Sequence, residues 1–213
     1  IIAGFYARAG IVYLNNGTTG SVTFIGTVSP AGGNLKEPVT ESTKKAARCF
    51  YALSQNRADS KRYPAIDTLD SYSKYLEYPE FIDFAKEKLD ENWVELVNEA
   101  RNTLVKGKEM EEQINILGDD SVPMSYHVDM WKSEFIDFII LQQDAFDKID
   151  GNTSLERQEF MLKRVIDVTR SDFKFDNFEE IGIYFKRIIN AFRQMNYTIF
   201  KSEEFHKAEE EAN

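Results

Sequence analysis

A mixed α/β chain, mainly α, is what this sequence predicts: a short β hairpin plus helix over residues 1–73, then an α-helical bundle over residues 74–213. Three observations carry the expectation. Apolar, β-prone residues flank the turn signal Asn16-Gly17. Beyond Ser73, apolar residues recur at intervals of three and four, the spacing of one helix face. Between the two regimes lie punctuating segments, Ser29 to Asn34 and the Tyr63-Pro64 turn.

In chain order, residues 1–10 read as the end of a helix without a capping residue before its apolar run. Ile11 to Leu14 and Ser21 to Val28 form the arms of the hairpin. Ser29 to Asn34 breaks regular structure, and Thr40 then reads as an N-cap. Ala46, Ala47, Phe50, Tyr51 and Leu53 follow at helical spacing until Gln55-Asn56. Phe81, Phe84 and Ala85 start the next helix, and Trp93, Leu96, Val97, Ala100 and Leu104 mark another that stops before Gly107. A further segment carries Ile114 and Leu117 to the break at Gly118. After Pro123 a long helix carries Trp131, Phe135, Phe138, Ile139 and Gln142 and is expected to run to the segment Asp147–Asn152. Two more helices hold Leu155 to Ile166 and Ile181 to Phe192, and the acidic tail from Glu203 is expected to fray.

Composition excludes several classes of function. With 213 residues, 42% hydrophobic and 13% aromatic, the chain can bury a core. The formal net charge of -10 disfavours nucleic acid and anionic lipid, both of which reward basic patches, and suits a basic protein surface. No apolar run reaches the roughly 20 residues that cross a bilayer, and the run from Phe135 to Leu141 is interrupted by Asp137. The single cysteine, Cys49, allows neither an internal disulfide nor a cysteine zinc cluster, which suits a reducing cytoplasm. His127 and His206 have no ligands at metal spacing around them, so no metal site is expected. A G-x-x-x-x-G-K-[ST] phosphate loop does not occur in the sequence.

Three wordings carry a resemblance. GTVSPAGGNLKEPVT begins at Gly26, KRYPAIDTLDSYSKY ends at Tyr75, and LQQDAFDKIDGNTSLERQ begins at Leu141. In this order they resemble the catalytic A subunit of V-type and archaeal-type rotary ATPases, and the second also resembles the β subunit of F-type ATP synthase. Ala31 and Asn34 depart from the family wording SPPGGD. The resemblance implies that residues 1–73 are the C-terminal remnant of a P-loop nucleotide-binding domain, and that the chain is the C-terminal portion of a longer subunit. The phosphate loop and catalytic glutamate would then lie upstream, so no catalytic residue is expected here and the isolated chain is expected to be inactive.

Site residues follow from the same resemblance. Tyr63 corresponds to the aromatic residue that lies against the adenine, and Phe146 to the second adenine-pocket aromatic, with Gln142 and Gln143 bordering that pocket. On spacing alone, Tyr63 reads first as a core ring, Phe146 as packing at a helix C-terminus, and the glutamines as solvated positions. The turn Leu117, Gly118, Asp119, Asp120, Ser121, Val122, Pro123 and Met124 stands where related subunits reach toward the rotor; its bland reading is a solvated interhelical turn. ATP or ADP with Mg²⁺ is the implied cofactor of the full-length subunit, with none tightly bound to this portion. The implied partners are the family's B subunit, alternating with the A subunit in a hetero-hexamer, and the central stalk subunits. Their implied location is the cytoplasmic, peripheral sector of a membrane-bound complex that meets the membrane only indirectly. The alternatives are the non-catalytic regulatory nucleotide-binding subunit of the same complex and an acidic helical interaction module.

Overall fold

The computed structural model describes residues 2–212. Helix α1 (Ile2–Tyr6) leads into an antiparallel hairpin of β1 (Gly10–Tyr13) and β2 (Thr19–Val22), in which Gly10 pairs with Val22 and Tyr13 with Thr19. Asn16 closes the turn, its Oδ1 accepting from Thr18 N at 3.0 Å and Thr18 Oγ1 at 2.7 Å. The second arm ends at Val22, short of the expected Val28. Helix α2 (Pro38–Ala46) starts with Pro at its first position, where the missing N–H costs nothing. Glu37 occupies the N-cap position, and Thr40 lies inside the helix, buried, with its hydroxyl donating to Glu37 Oε1 at 3.0 Å.

Phe50, Tyr51 and Leu53, expected on a helix, belong instead to β3 (Cys49–Leu53), which pairs antiparallel with β4 (Ile66–Ser73). Apolar spacing there fits a helix and a short strand alike, and the cross-strand partners decide between them. The Ser71 hydroxyl fills a register irregularity in this hairpin by accepting from Ala52 N at 2.9 Å. Residues 54–65 form the connection; within it lie helix α3 (Gln55–Asp59), capped by Ser54, and the Tyr63 turn.

Helix α4 (Pro79–Lys88) precedes α5 (Trp93–Leu117), which continues through Gly107 as one helix of 25 residues. Gly107 does not end the helix but marks its close approach to a neighbour: a Cβ there would lie 2.0 Å from Ser133 Cβ on α6 (Met124–Ile136). From Asp137 to Leu141 the helix widens into a π turn, with Gln142 N donating to Asp137 O at 3.0 Å. Helical structure therefore stops at Leu141, and Asp147–Asn152 lies in a separate loop.

Helices α7 (Leu155–Arg170) and α8 (Phe178–Tyr197) complete the core, where Phe135, Phe185, Phe192, Ile136, Ile166, Ile181 and Val165 are almost wholly buried. Asn177 and Glu180 form a reciprocal cap at the start of α8. The tail is helix α9 (Glu203–Ala212), not a frayed end: Phe205, Ala208 and Ala212 repeat every three or four residues and bury against the core.

Candidate functional site

The β3–β4 connection and the loop after the π turn meet at one point. Gln143 N–H donates to the Tyr63 carbonyl at 2.9 Å, joining segments about 80 residues apart in the chain. Tyr63 stands at a cis peptide bond to Pro64, with its ring about half exposed and its hydroxyl 3.4 Å from Ala58 O. Phe146 lies three residues beyond Gln143 and is 98% exposed; it sits in an irregular loop, not at the helix C-terminus that the sequence suggested. Gln142 and Gln143 are engaged, with Gln142 Nε2 donating to Asp137 Oδ2 at 3.2 Å and Gln143 Nε2 to Asp150 O at 2.7 Å.

Buried Asp150 holds this loop in shape. Its Oδ2 accepts from Asp144 N at 2.6 Å, while desolvation pushes its carboxyl above the usual carboxylate range against that hydrogen bond and the charge of Arg157. Pro64, Gln142, Gln143 and Asp150 form part of the wall of a cleft of about 740 Å³ that is lined as well by apolar residues, including Trp93, Ile139 and Met161. The rings of Tyr63 and Phe146 lie outside that wall.

An ion-pair network that the sequence did not reveal anchors the Tyr63 turn. Arg57 Nη1 donates to Asp137 Oδ1 at 2.6 Å, and Arg62 Nη1 to Asp137 Oδ2 at 2.9 Å. Arg62 also makes a two-pronged contact with Glu134, at 2.8 Å through each nitrogen, and stacks its guanidinium over Phe138. The Glu134 hydrogen bonds, together with the charges of Glu134 and Asp137, outweigh desolvation and raise the Arg62 pKa above its ordinary value. A signal was present in the sequence, since Asp137 stands alone in an apolar run, but that isolation bore only on membrane spanning.

At the far end of α6, the turn between α5 and α6 is exposed at Leu117, Gly118, Asp119, Asp120, Ser121 and Pro123. Gly118 adopts φ 87°, a left-handed backbone that suits glycine and ends α5. Val122 is half-buried and Met124 packs on the core. Buried His127 pins the turn from beneath, with its ring stacked on Phe178 and Nε2 3.1 Å from Asp119 O.

Among the described residues, no group of three or more His, Cys, Asp or Glu side chains could hold a metal ion, and no helix is long and apolar enough to cross a membrane.

Two family models match. Residues 1–73 match the nucleotide-binding domain of the ATP synthase alpha/beta family, and residues 83–178 match the C-terminal domain of V and A type ATP synthase. Over 209 residues, 98% of this chain, the sequence is 41% identical to the V-type ATP synthase alpha chain of Borrelia duttonii and covers 34% of that protein. It is 38% identical over the same share to the alpha chain of Treponema denticola, covering 33% of it. The chain thus spans about a third of the length of the curated relatives it matches. A solved ATP synthase subunit, NeqB from Nanoarcheaum equitans, shares the fold, with a TM-score of 0.58 at 20% identity over 80% of this chain and 39% of that one.

Proposed function

The chain belongs to the V- and A-type ATP synthase family, and from that premise we propose that it contributes the adenine side of the nucleotide pocket and the helical domain that couples nucleotide occupancy to a rotor. The observation that carries this reading is the junction of Gln143 N–H with the Tyr63 carbonyl, which places the two aromatic-bearing segments side by side at the end of α6. Both rings have free surface, and a flat aromatic face attracts any nucleobase, by about 1–3 kcal/mol per stacked base.

Helix α6 supplies the lever. Its 13 residues span about 20 Å at the α-helical rise, from the acidic turn at Asp119-Asp120 to the π turn beside Tyr63. Its buried face, including Phe135 and Ile136, prevents one end from moving independently of the other. Division of labour follows residues 1–73 and 74–213: the first part presents Tyr63, and the second carries Phe146 and the rotor-facing turn. ATP or ADP is the ligand, and the family's B subunit and a basic central stalk are the partners. The parent enzyme is a rotary ATPase in the cytoplasmic, peripheral sector of a membrane complex. Phosphoryl transfer depends on positioned phosphates and charge stabilisation. No residue of this chain is assigned to that step, and the isolated chain should not turn over ATP.

Titration of the chain with ADP, followed by NMR, tests the reading. The Tyr63 and Phe146 ring signals should shift together, with weak affinity, and the response should be lost in Tyr63→Ala. Ring signals that stay in place at saturating ADP would remove the adenine assignment.

A further inference from the structure

We infer that Asp137 is a positioning residue of the adenine pocket, its carboxylate tying the Tyr63 turn to the loop that carries Phe146. The inference rests on the adenine reading above and adds to it the residue that holds the two ring-bearing segments together.

A single oxygen makes the connection. Asp137 Oδ2 accepts from Arg62 Nη1 at 2.9 Å and from Gln142 Nε2 at 3.2 Å, while Oδ1 accepts from Arg57. Arg62 immediately precedes Tyr63, and Gln142 immediately precedes Gln143, whose N–H is bonded to the Tyr63 carbonyl. The carboxylate thus closes a ring of contacts through both segments, one residue away from each half of their direct backbone bond.

Backbone geometry directs the side chain to that place. The π turn starts at Asp137 and inserts one extra residue into the helix repeat, so the chain leaves α6 at Gln142 in extended conformation instead of winding on. Asn196 Nδ2 donates to Ile139 O at 3.0 Å inside the core, satisfying a carbonyl within the widened turn. Asp137 itself is 5% exposed and lies next to the wholly buried Ile136. A buried carboxylate with two guanidinium partners is costly to assemble, and well-packed apolar residues can replace such groups without loss of stability. Its service here is orientation: three donors from two segments converge on one acceptor group that cannot move.

Two variants and two readouts test the inference on the chain itself. Gln142→Ala removes one donor but leaves both arginine contacts, so it should fold with little change in thermal stability. It should speed hydrogen exchange at the Gln143 amide by about tenfold or more, since that bond then opens locally, and weaken ADP binding severalfold. Asp137→Asn should produce both effects more strongly, because an amide offers a donor toward a guanidinium where a charged acceptor stood. Unchanged exchange at Gln143 in Gln142→Ala would overturn the inference. So would faster exchange with unaltered ADP affinity while Tyr63→Ala still weakens binding, an outcome that leaves the adenine reading standing. If Tyr63→Ala binds ADP like the parent chain, the adenine reading fails by itself and the positioning role falls with it.

Discussion

His127 holds the carbonyl oxygen of Asp119 at 3.1 Å from its Nε2, with its Nδ1 4.0 Å from an Asp119 carboxylate oxygen, so the acidic turn is fastened from below through its backbone while the Asp119 and Asp120 side chains stay exposed. The turn's shape and its charge are consequently separable. Replacing Asp119 and Asp120 together by Lys should leave the fold intact, with a change within about 0.5 kcal/mol, as for other exposed substitutions. Coupling to a basic shaft should fall, because reversed charges disturb steering and register. Rotation of the assembled complex is the measurement; equal coupling of variant and parent at low and high salt would reduce the turn to a solvated connection.

At the other end of α6, the two aromatic rings should separate binding from stability. Phe146 is 98% exposed, so Phe146→Ala should leave the melting temperature unchanged while weakening nucleotide binding. Tyr63→Phe should be nearly silent. In the assembled enzyme Tyr63→Ala should raise KM with kcat retained, since adenine contacts are equal in ground and transition states. Steady-state kinetics decide, and a large fall in kcat at constant KM would give Tyr63 another role.

Arg62 lies in a partly buried network, and Arg62→Ala leaves Glu134 and Asp137 short of a cation. A loss of about 3 kcal/mol is expected, the lower end for breaking a buried pair. The sign of the pH dependence follows from the raised Arg62 pKa: its contribution is complete below the ordinary guanidinium value and is lost only as pH rises through the still higher folded value. Urea melts from about neutral to about pH 10 should therefore show a constant difference between parent and variant. A difference that shrinks across that range contradicts the assignment.

Gly107→Ala offers a test of opposite sign from helix propensity. In an exposed helix interior the change would stabilise by about 1 kcal/mol. Here the new methyl group meets Ser133 at 2.0 Å, so destabilisation of about 1–3 kcal/mol is expected. Adding Ser133→Gly should recover part of it. Denaturant melts of the parent and the two variants give the answer, and a stabilised Gly107→Ala would mean that α5 and α6 do not approach as described.

The sequence by itself determined α7 and α8, which repeat apolar residues over many turns and carry their own caps in Ser154 and Asn177. It also identified, by resemblance, the family and the wordings around Tyr63 and Leu141. Tertiary structure decided matters for which local pattern is silent. Phe50 and Leu53 become a strand because Tyr72 and Ile66 lie opposite them, and Gly107 stands inside α5 at the place where Ser133 leaves no room for a side chain. Glu203 to Ala212 is held as a helix because its Phe205 buries in the core against Phe160 of α7 and Phe200. The clamp of Arg57 and Arg62 on Asp137 joins residues 80 and 75 positions apart. Its members are ordinary charged residues in the sequence; only the folded chain brings them within hydrogen-bond distance of one carboxylate and gives their pairing its direction.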